Sequence, residues 1–217
     1  MSLVGEWDFE GGYGTVAFDS SGLGNNGVLT GILPPVWSSD ARVGSYSLLF
    51  NFIYKSCVVL PALPLALAES RSLWIKTSTC NAAMGLVVYF SSTLPISSQL
   101  RINQGQLQFY AFSGTNGLTV FTNISLCDSQ WHLVGLTSSP TMVGLYIDGN
   151  LAQSLIPSTS QISMLASIAG RVDGLEMGCQ EGKYLFNGQL DDVRLYQREL
   201  SSNEIANICT FLLACFI

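Results

Sequence analysis

Charge is what this chain has least of. Asp, Glu, Lys and Arg together make up 11% of its 217 residues, under half of the roughly 25% typical of soluble domains. Acids outnumber bases by 15 to 9, for a net charge of −6. That balance argues against a nucleic-acid partner, because phosphates select basic patches. Histidine occurs once, at His132, and no two cysteines form a C-x-x-C pair, so a zinc site is not expected. Long apolar runs are missing too. The best candidates are 57–68, interrupted by Pro61 and Pro64, and 209–217; both fall short of the roughly 18 residues that span a bilayer. No membrane span is expected. Nothing ahead of Val4-Gly5-Glu6-Trp7-Asp8-Phe9 reads as a signal peptide, and no Gly-rich phosphate loop stands between a strand and a helix.

What is abundant is apolar and neutral-polar. Aliphatic and aromatic residues make up 48%, enough for a core, and mean hydropathy is +0.36. The surface is therefore expected to be Ser, Thr, Asn, Gln and Gly rather than charge. Some of the apolar surface is expected to be covered by further copies, in a homo-oligomer or polymer. The cysteines are Cys57, Cys80, Cys127, Cys179, Cys209 and Cys215. An even count fits disulfides, but six cysteines allow 15 pairings; the alternative is that several are small buried hydrophobes.

Hydrophobic periodicity is that of strands. Short period-two runs are expected at 5–9, 15–18, 28–33, 46–50, 56–60, 72–76, 85–90, 99–103, 106–112, 131–137, 143–147, 151–155 and 175–178. Asp148-Gly149-Asn150 signals a hairpin. The one segment that looks helical is 201–208, with Ser201 as N-cap and Glu204 in capping-box spacing. This is an all-β, two-sheet sandwich with one short C-terminal helix, in a single domain.

The stretch Phe186-Asn187-Gly188-Gln189-Leu190-Asp191-Asp192-Val193-Arg194-Leu195-Tyr196 draws the most attention. Alternation puts Asp191 on one face with Val193 and Leu195, and Asp192 with Arg194 and Tyr196 on the other. A carboxylate in line with core residues needs a partner: a cation, backbone N–H groups or an Arg. Asp192 and Arg194 are expected to be solvated.

Six motifs occur in order: Trp7-Asp8-Phe9-Glu10; Asp19-Ser20-Ser21-Gly22-Leu23-Gly24-Asn25-Asn26-Gly27; Ser72-Leu73-Trp74-Ile75-Lys76-Thr77; Gln130-Trp131-His132-Leu133-Val134; Leu145-Tyr146-Ile147-Asp148-Gly149; and 186–196. In this the chain resembles the laminin-G-like, concanavalin A-like lectin/glucanase superfamily, over about 4–208, with 209–217 as an apolar tail. The resemblance implies an antiparallel jelly roll with one concave sheet, an extracellular or cell- or particle-surface location, and calcium as cofactor. The implied calcium ligands are Asp19 and Asp191, with Asn25, Asn26 and nearby carbonyls. Calcium takes six to eight oxygens. The alternative is that Asp19 caps its own loop through N–H groups while Asp191 pairs with an Arg.

Glu6-Trp7-Asp8-Phe9-Glu10 also matches a glucanase signature of the same superfamily, and a retaining glycosidase needs two carboxyls about 5–5.5 Å apart. Its place on the first strand makes hydrolysis the minor alternative. A lone His132 inside a strand motif makes a Ser-His-Asp triad improbable. The expected function is thus non-catalytic: an adhesion or recognition module for a glycan or protein, using aromatics such as Tyr13, Trp37, Tyr54, Tyr110 and Tyr184. The competing reading is a self-assembling subunit of a filament, coat or sheath, docking through Phe211, Leu212, Leu213, Phe216 and Ile217.

Overall fold

A computed structural model describes residues 2–80 and 82–210. In chain order its strands are β1 (Leu3–Trp7), β2 (Val16–Ala17), β3 (Gly27–Thr30), β4 (Val36–Ser38), β5 (Ser47–Phe50), β6 (Cys57–Leu60), β7 (Glu69–Lys76) and β8 (Ala83–Phe90). Then follow β9 (Ile96–Asn103), β10 (Gln106–Ser113), β11 (Asn116–Ser125), β12 (Trp131–Ser138), β13 (Val143–Ile147), β14 (Asn150–Leu155), β15 (Gly174–Met177) and β16 (Gly188–Tyr196). Two α-helices, α1 (Thr159–Ile168) and α2 (Ser202–Thr210), and a 3-10 turn at Phe52–Tyr54 complete the described elements. The first sheet runs β14-β13-β12-β7-β16-β5-β4, with β1 also on β16; the second runs β11-β10-β9-β8-β15-β6-β3-β2. All pairings are antiparallel.

Local chemistry explains the turns. Asp148 and Gly149 both take positive φ, at 50° and 79°, which joins β13 to β14 by a hairpin that matches strand twist. Gln104 and Gly105 repeat that pattern, at 50° and 80°, between β9 and β10. At α2, Ser201 Oγ accepts from the Glu204 N–H while Glu204 accepts from the Ser201 N–H, the expected capping box. Helix α1 was not expected. It has the same device, with Ser158 and Gln161 capping each other, and it buries Met164, Leu165 and Ile168.

The inner faces of both sheets pack Trp7, Leu48, Leu73, Ile75, Leu100, Phe109 and Val193 into one core. Amid them lies an ion pair. Arg71, on β7, is 1% exposed. Its Nε and Nη2 donate to Glu69 at 3.0 and 2.6 Å. Nη1 crosses to the second sheet and donates to the carbonyls of Val87 and Ser98, both at 3.0 Å. Nη2 also reaches Ser98 Oγ, so every N–H of the guanidinium has a partner. The Tyr89 and Phe109 rings lie 4.8 and 5.9 Å from it.

Two disulfides with both cysteines among the described residues add covalent closure: Cys57–Cys179 and Cys80–Cys127, with Cα–Cα distances of 5.5 and 5.7 Å. Cys57–Cys179 ties β6 to the segment that follows β15.

Arg71→Met alone is expected to lower the free energy of urea unfolding by about 3–5 kcal/mol, since Glu69 keeps a buried charge without a partner. The double variant Glu69→Leu/Arg71→Met should recover most of that loss. Equal stability of the single variant and the wild type would refute the bridging role.

Candidate functional site

The outer face of the second sheet carries a cluster of polar side chains. On β9, Leu100 and Ile102 face the core, so Gln99, Arg101 and Asn103 face outward. On β10, Leu107, Phe109 and Ala111 face inward, so Gln108 and Tyr110 face outward. The register sets Arg101 opposite Gln108, and Gln108 opposite Phe121 of β11. On the other side Arg101 stands opposite Gly85 of β8. A Cβ at Gly85 would lie 2.9 Å from Val88 and 3.1 Å from the Cys179 carbonyl, so glycine lets a further segment approach.

That segment is 178–185, anchored by the Cys57–Cys179 disulfide. Gln180 and Lys183 exchange two backbone hydrogen bonds, at 2.8 and 2.7 Å, around Glu181 and Gly182. The buried Glu176 accepts the Glu181 N–H at 2.6 Å, and burial raises its pKa. The Tyr184 carbonyl accepts the Gly85 N–H at 2.6 Å. The turn thereby reaches over β8 to β9.

Arg101 is the hub. Its Nε donates to Gln108 Oε1 at 2.6 Å, and its Nη1 to Gln99 Oε1 at 3.0 Å. Gln99 in turn donates to Gln180 Oε1 at 2.8 Å. The guanidinium lies 4.4 Å from the Tyr110 ring and 5.9 Å from that of Tyr184. Burial lowers the Arg101 pKa, and the two tyrosines oppose that shift. On one flank is a polar groove of about 180 Å³, lined by Asn103, Gln104, Gln106, Gln108 and Phe121, and Phe121 is 56% exposed. On the other, Tyr184 helps to line an apolar pocket of about 460 Å³ with Phe52, Ala83, Met84 and Leu185. Chemically the face offers aromatic planes, amides and one cation around open space.

The family model described as the concanavalin A-like lectin/glucanases superfamily matches residues 56–206. The chain belongs to this superfamily. Comparison with curated protein sequences finds no match. Among solved structures, domain 4 of AbnA, a GH43 extracellular arabinanase from Geobacillus stearothermophilus solved with arabinotriose, superposes with a TM-score of 0.76 at 16% identity. It covers 96% of this chain and 98% of that one. The binding domain of Paraclostridial Mosquitocidal Protein 1 gives 0.72 at 16% identity, covering 97% and 52%. That of botulinum neurotoxin DC, solved with rat synaptotagmin II, gives 0.70 at 12%, covering 97% and 52%. The chain thus spans about half the length of the toxin domains. At these identities the likeness is one of fold.

Within this concanavalin A-like sandwich, the aromatics named from sequence separate. Tyr110 and Tyr184 meet at Arg101. Trp37 stands on edge strand β4 of the first sheet, its indole N–H on the Gly14 carbonyl at 2.9 Å. Tyr13 lies in the turn before β2 and is 83% exposed, and Tyr54 closes a single 3-10 turn. Arg101, Gln99, Gln108, Gln180 and Phe121 were not anticipated. The strict alternation of Gln99-Leu100-Arg101-Ile102-Asn103 was the available signal.

The implied calcium ligands divide as well. Asp19 accepts backbone N–H groups from Glu6, Ser21 and Asn25, at 3.1, 3.0 and 2.9 Å. Asn26 Oδ1 accepts from the Asp19 N–H at 2.9 Å, and Asn25 Nδ2 donates to the Val4 carbonyl at 2.8 Å. These three knit one loop. Asp191 shares no hydrogen-bond partner with them. Its Oδ2 accepts from Arg42 and Val43 N–H groups at 2.7 and 2.9 Å, and its Oδ1 has no partner among the described residues. Of the partners considered for Asp191, backbone N–H groups are the ones found.

A β-bulge explains the change at 191–192. The β16–β7 register shifts between Asp191 and Arg194, and Asp192 takes φ 45°. Leu190 and Val193 therefore both face the core, while Asp191 falls opposite Trp74, in the smaller cluster that Trp74 forms with Leu133 and Val43. Asp192 is not solvated, contrary to expectation. It is 2% exposed, its Oδ1 accepts from Arg194 Nε at 3.0 Å, and its Oδ2 has no hydrogen-bond partner among the described residues.

The remaining candidates have structural engagements. Phe9 takes φ 56°, which ends the alternation of the Glu6-Trp7-Asp8-Phe9-Glu10 motif. Glu6 pairs with Arg194 at 3.1 Å. Asp8 accepts from the Glu10 N–H, and Glu10 accepts from Ser45 and Tyr46 N–H groups. His132 bridges Asp148 at 2.9 Å and Asp128 at 3.2 Å, which raises its pKa. The tail positions Phe211, Leu212, Leu213, Phe216 and Ile217 lie outside the described residues.

Burial pushes the Asp191 pKa up to about 7 from its ordinary 3.8, against the pull of the Val43 and Arg42 N–H groups. Ionisation is then opposed in the folded state alone, so this group lowers stability as pH rises from about 4 to about 7. Asp191→Asn removes that dependence. Its melting temperature relative to wild type should be higher at about pH 7.5 than at about pH 4. Asp191→Ala strands both N–H groups and should lose about 1–3 kcal/mol per donor at either pH. A pH-independent difference for Asp191→Asn would contradict the assignment.

Proposed function

We propose that this chain is a non-catalytic, extracellular-type recognition module that binds a glycan on the outer face of its second sheet, across Arg101. The observation that carries the reading is one assembly of side chains. Tyr110, Tyr184 and the exposed ring of Phe121 flank a guanidinium and a row of Gln and Asn amides beside an open groove. A sugar ring has an apolar C–H face that stacks on an aromatic plane, and hydroxyl edges that need planar donors and acceptors. The Gln108–Arg101–Gln99–Gln180 hydrogen bonds hold those groups in place before a ligand arrives, which reduces the ordering cost of binding. The arabinotriose bound by domain 4 of AbnA on a similar fold supports the ligand class. The Cys57–Cys179 and Cys80–Cys127 disulfides support an oxidising compartment.

Phe121→Ala and Tyr184→Ala should each weaken binding to the oligosaccharide selected on a glycan array by about 1 kcal/mol or more, measured by calorimetry, with unchanged melting temperature. Full affinity in both variants would move the site off this face.

A calcium ion is a second part of the proposal, at the junction of β1 and the β16 bulge. The support is electrostatic: Glu6 has its pKa raised first by burial and then by Asp192, Asp8 and Asp19, while Arg194 opposes them. Asp192 also keeps a buried oxygen without a hydrogen-bond partner among the described residues. A divalent cation with hard oxygen ligands would neutralise that surplus. The wild type should melt at a higher temperature in calcium chloride than in chelator, and Asp192→Asn should melt alike in both. No difference for the wild type would remove calcium from the account.

A further inference from the structure

Four of the nine Lys and Arg residues of this acidic chain pair with a carboxylate among the described residues. Arg71 pairs with Glu69, Lys76 with Asp40, Arg194 with Glu6 and Asp192, and Arg198 with Glu204. Arg101 differs. It is half-buried, yet its partners are two amide oxygens and two tyrosine rings. No carboxylate pairs with it among the described residues, and none is among the charges that act on it. The Nε and Nη1 positions are fixed by Gln108 and Gln99, while Nη2 has no hydrogen-bond partner among the described residues.

A guanidinium taken partly out of water without a counter-ion has an unmet electrostatic demand. A purely structural arginine meets it internally, as Arg71 does. The groove next to Arg101 carries amides and Phe121 and no acidic side chain, so an anion entering it meets no repulsion from its lining. Gln108 both fixes Arg101 and lines that groove, which puts the unfilled side of the guanidinium within reach of a groove occupant.

We propose that Arg101 is the anion-recognition residue of this face, and that the ligand is an acidic saccharide whose carboxylate or sulfate group pairs with its guanidinium. The inference rests on the glycan-binding reading above and specifies its chemistry. Arginine suits the task because its planar fork takes a carboxylate or sulfate through two parallel N–H bonds, which lysine cannot reproduce. The flanking tyrosine rings hold the fork in its plane and leave its edge to the ligand.

The test uses matched probes on the full chain by titration calorimetry: oligogalacturonate against its methyl ester, and sialyllactose against lactose. The acidic member of at least one pair should bind, and its neutral counterpart should bind at least about tenfold more weakly. Arg101→Gln should erase that preference, Arg101→Lys should restore only part of it, and added salt should reduce it. The probe comparison in wild type needs no variant, so a poorly folded Arg101→Gln cannot obscure the result. Neutral members binding as tightly as acidic ones, with Arg101→Gln silent, would overturn the acidic ligand and leave glycan binding standing. No binding by any member, together with a silent Phe121→Ala on a wider array, would overturn both.

Discussion

Arg71 sets the constraint that the rest of this sandwich obeys. Two sheets that meet through apolar side chains alone are free to slide, because the hydrophobic effect has no direction. A guanidinium whose N–H groups point at Glu69 on its own strand and at the Val87 and Ser98 carbonyls of the facing sheet has direction. The pair contributes little net stability, since desolvation and attraction nearly cancel for buried ions. What it supplies is one allowed alignment of β7 against β8 and β9. Any slip leaves a buried charge without its partners, at a cost far above that of a shifted leucine.

That alignment reaches the outer face. Ser98 accepts from Arg71 on the inside of β9, and the next outward-facing residues on either side of Leu100 are Gln99 and Arg101. Fixing Ser98 therefore fixes the strand that carries the recognition hub. One arginine is satisfied completely, within the protein. The other, three positions beyond Ser98 on β9 and on the outer face of that sheet, is satisfied by neutral groups and retains an unfilled edge. The same residue type serves opposite ends because burial and partner charge differ on the two faces.

Much of the fold was legible because strand alternation and turn chemistry are local. The β9–β10 and β13–β14 hairpins and the Ser201 capping box all follow from nearest-neighbour rules. The misses have physical causes. Strand β11 is so rich in Thr, Asn and Ser that its inward Leu118, Val120 and Thr122 form a weak pattern. Helix α1 begins in Ser and Thr, poor helix formers, although Ser158 and Gln161 carried the capping signal. The Asp191–Asp192 bulge took Asp191 off the face of Val193 and Leu195, because one extra residue changes the phase of a period of two. The site was the least legible part. Arg101 owes its role to strands β8 and β10 and to a turn some 80 residues away, and none of those partners is encoded beside it.

The distance in sequence also explains the covalent link. The recognition face is built from β9, β10, β11 and the 178–185 turn, and the turn is the piece not held by a sheet on both sides. It supplies Gln180 and Tyr184, one to each flank of the Gln99–Arg101 pair. Left to backbone hydrogen bonds alone, so short a segment would spend much of its time away from β9, and each binding event would have to order it again. The Cys57–Cys179 bond closes a loop 122 residues apart in sequence and removes that freedom before the ligand arrives. Gly85 removes the one side chain that would keep the turn off β8. Covalent closure and a missing side chain thus act on the same few residues, and together they make a non-local cluster of neutral amides and rings stiff enough to hold a cation poised beside an open groove.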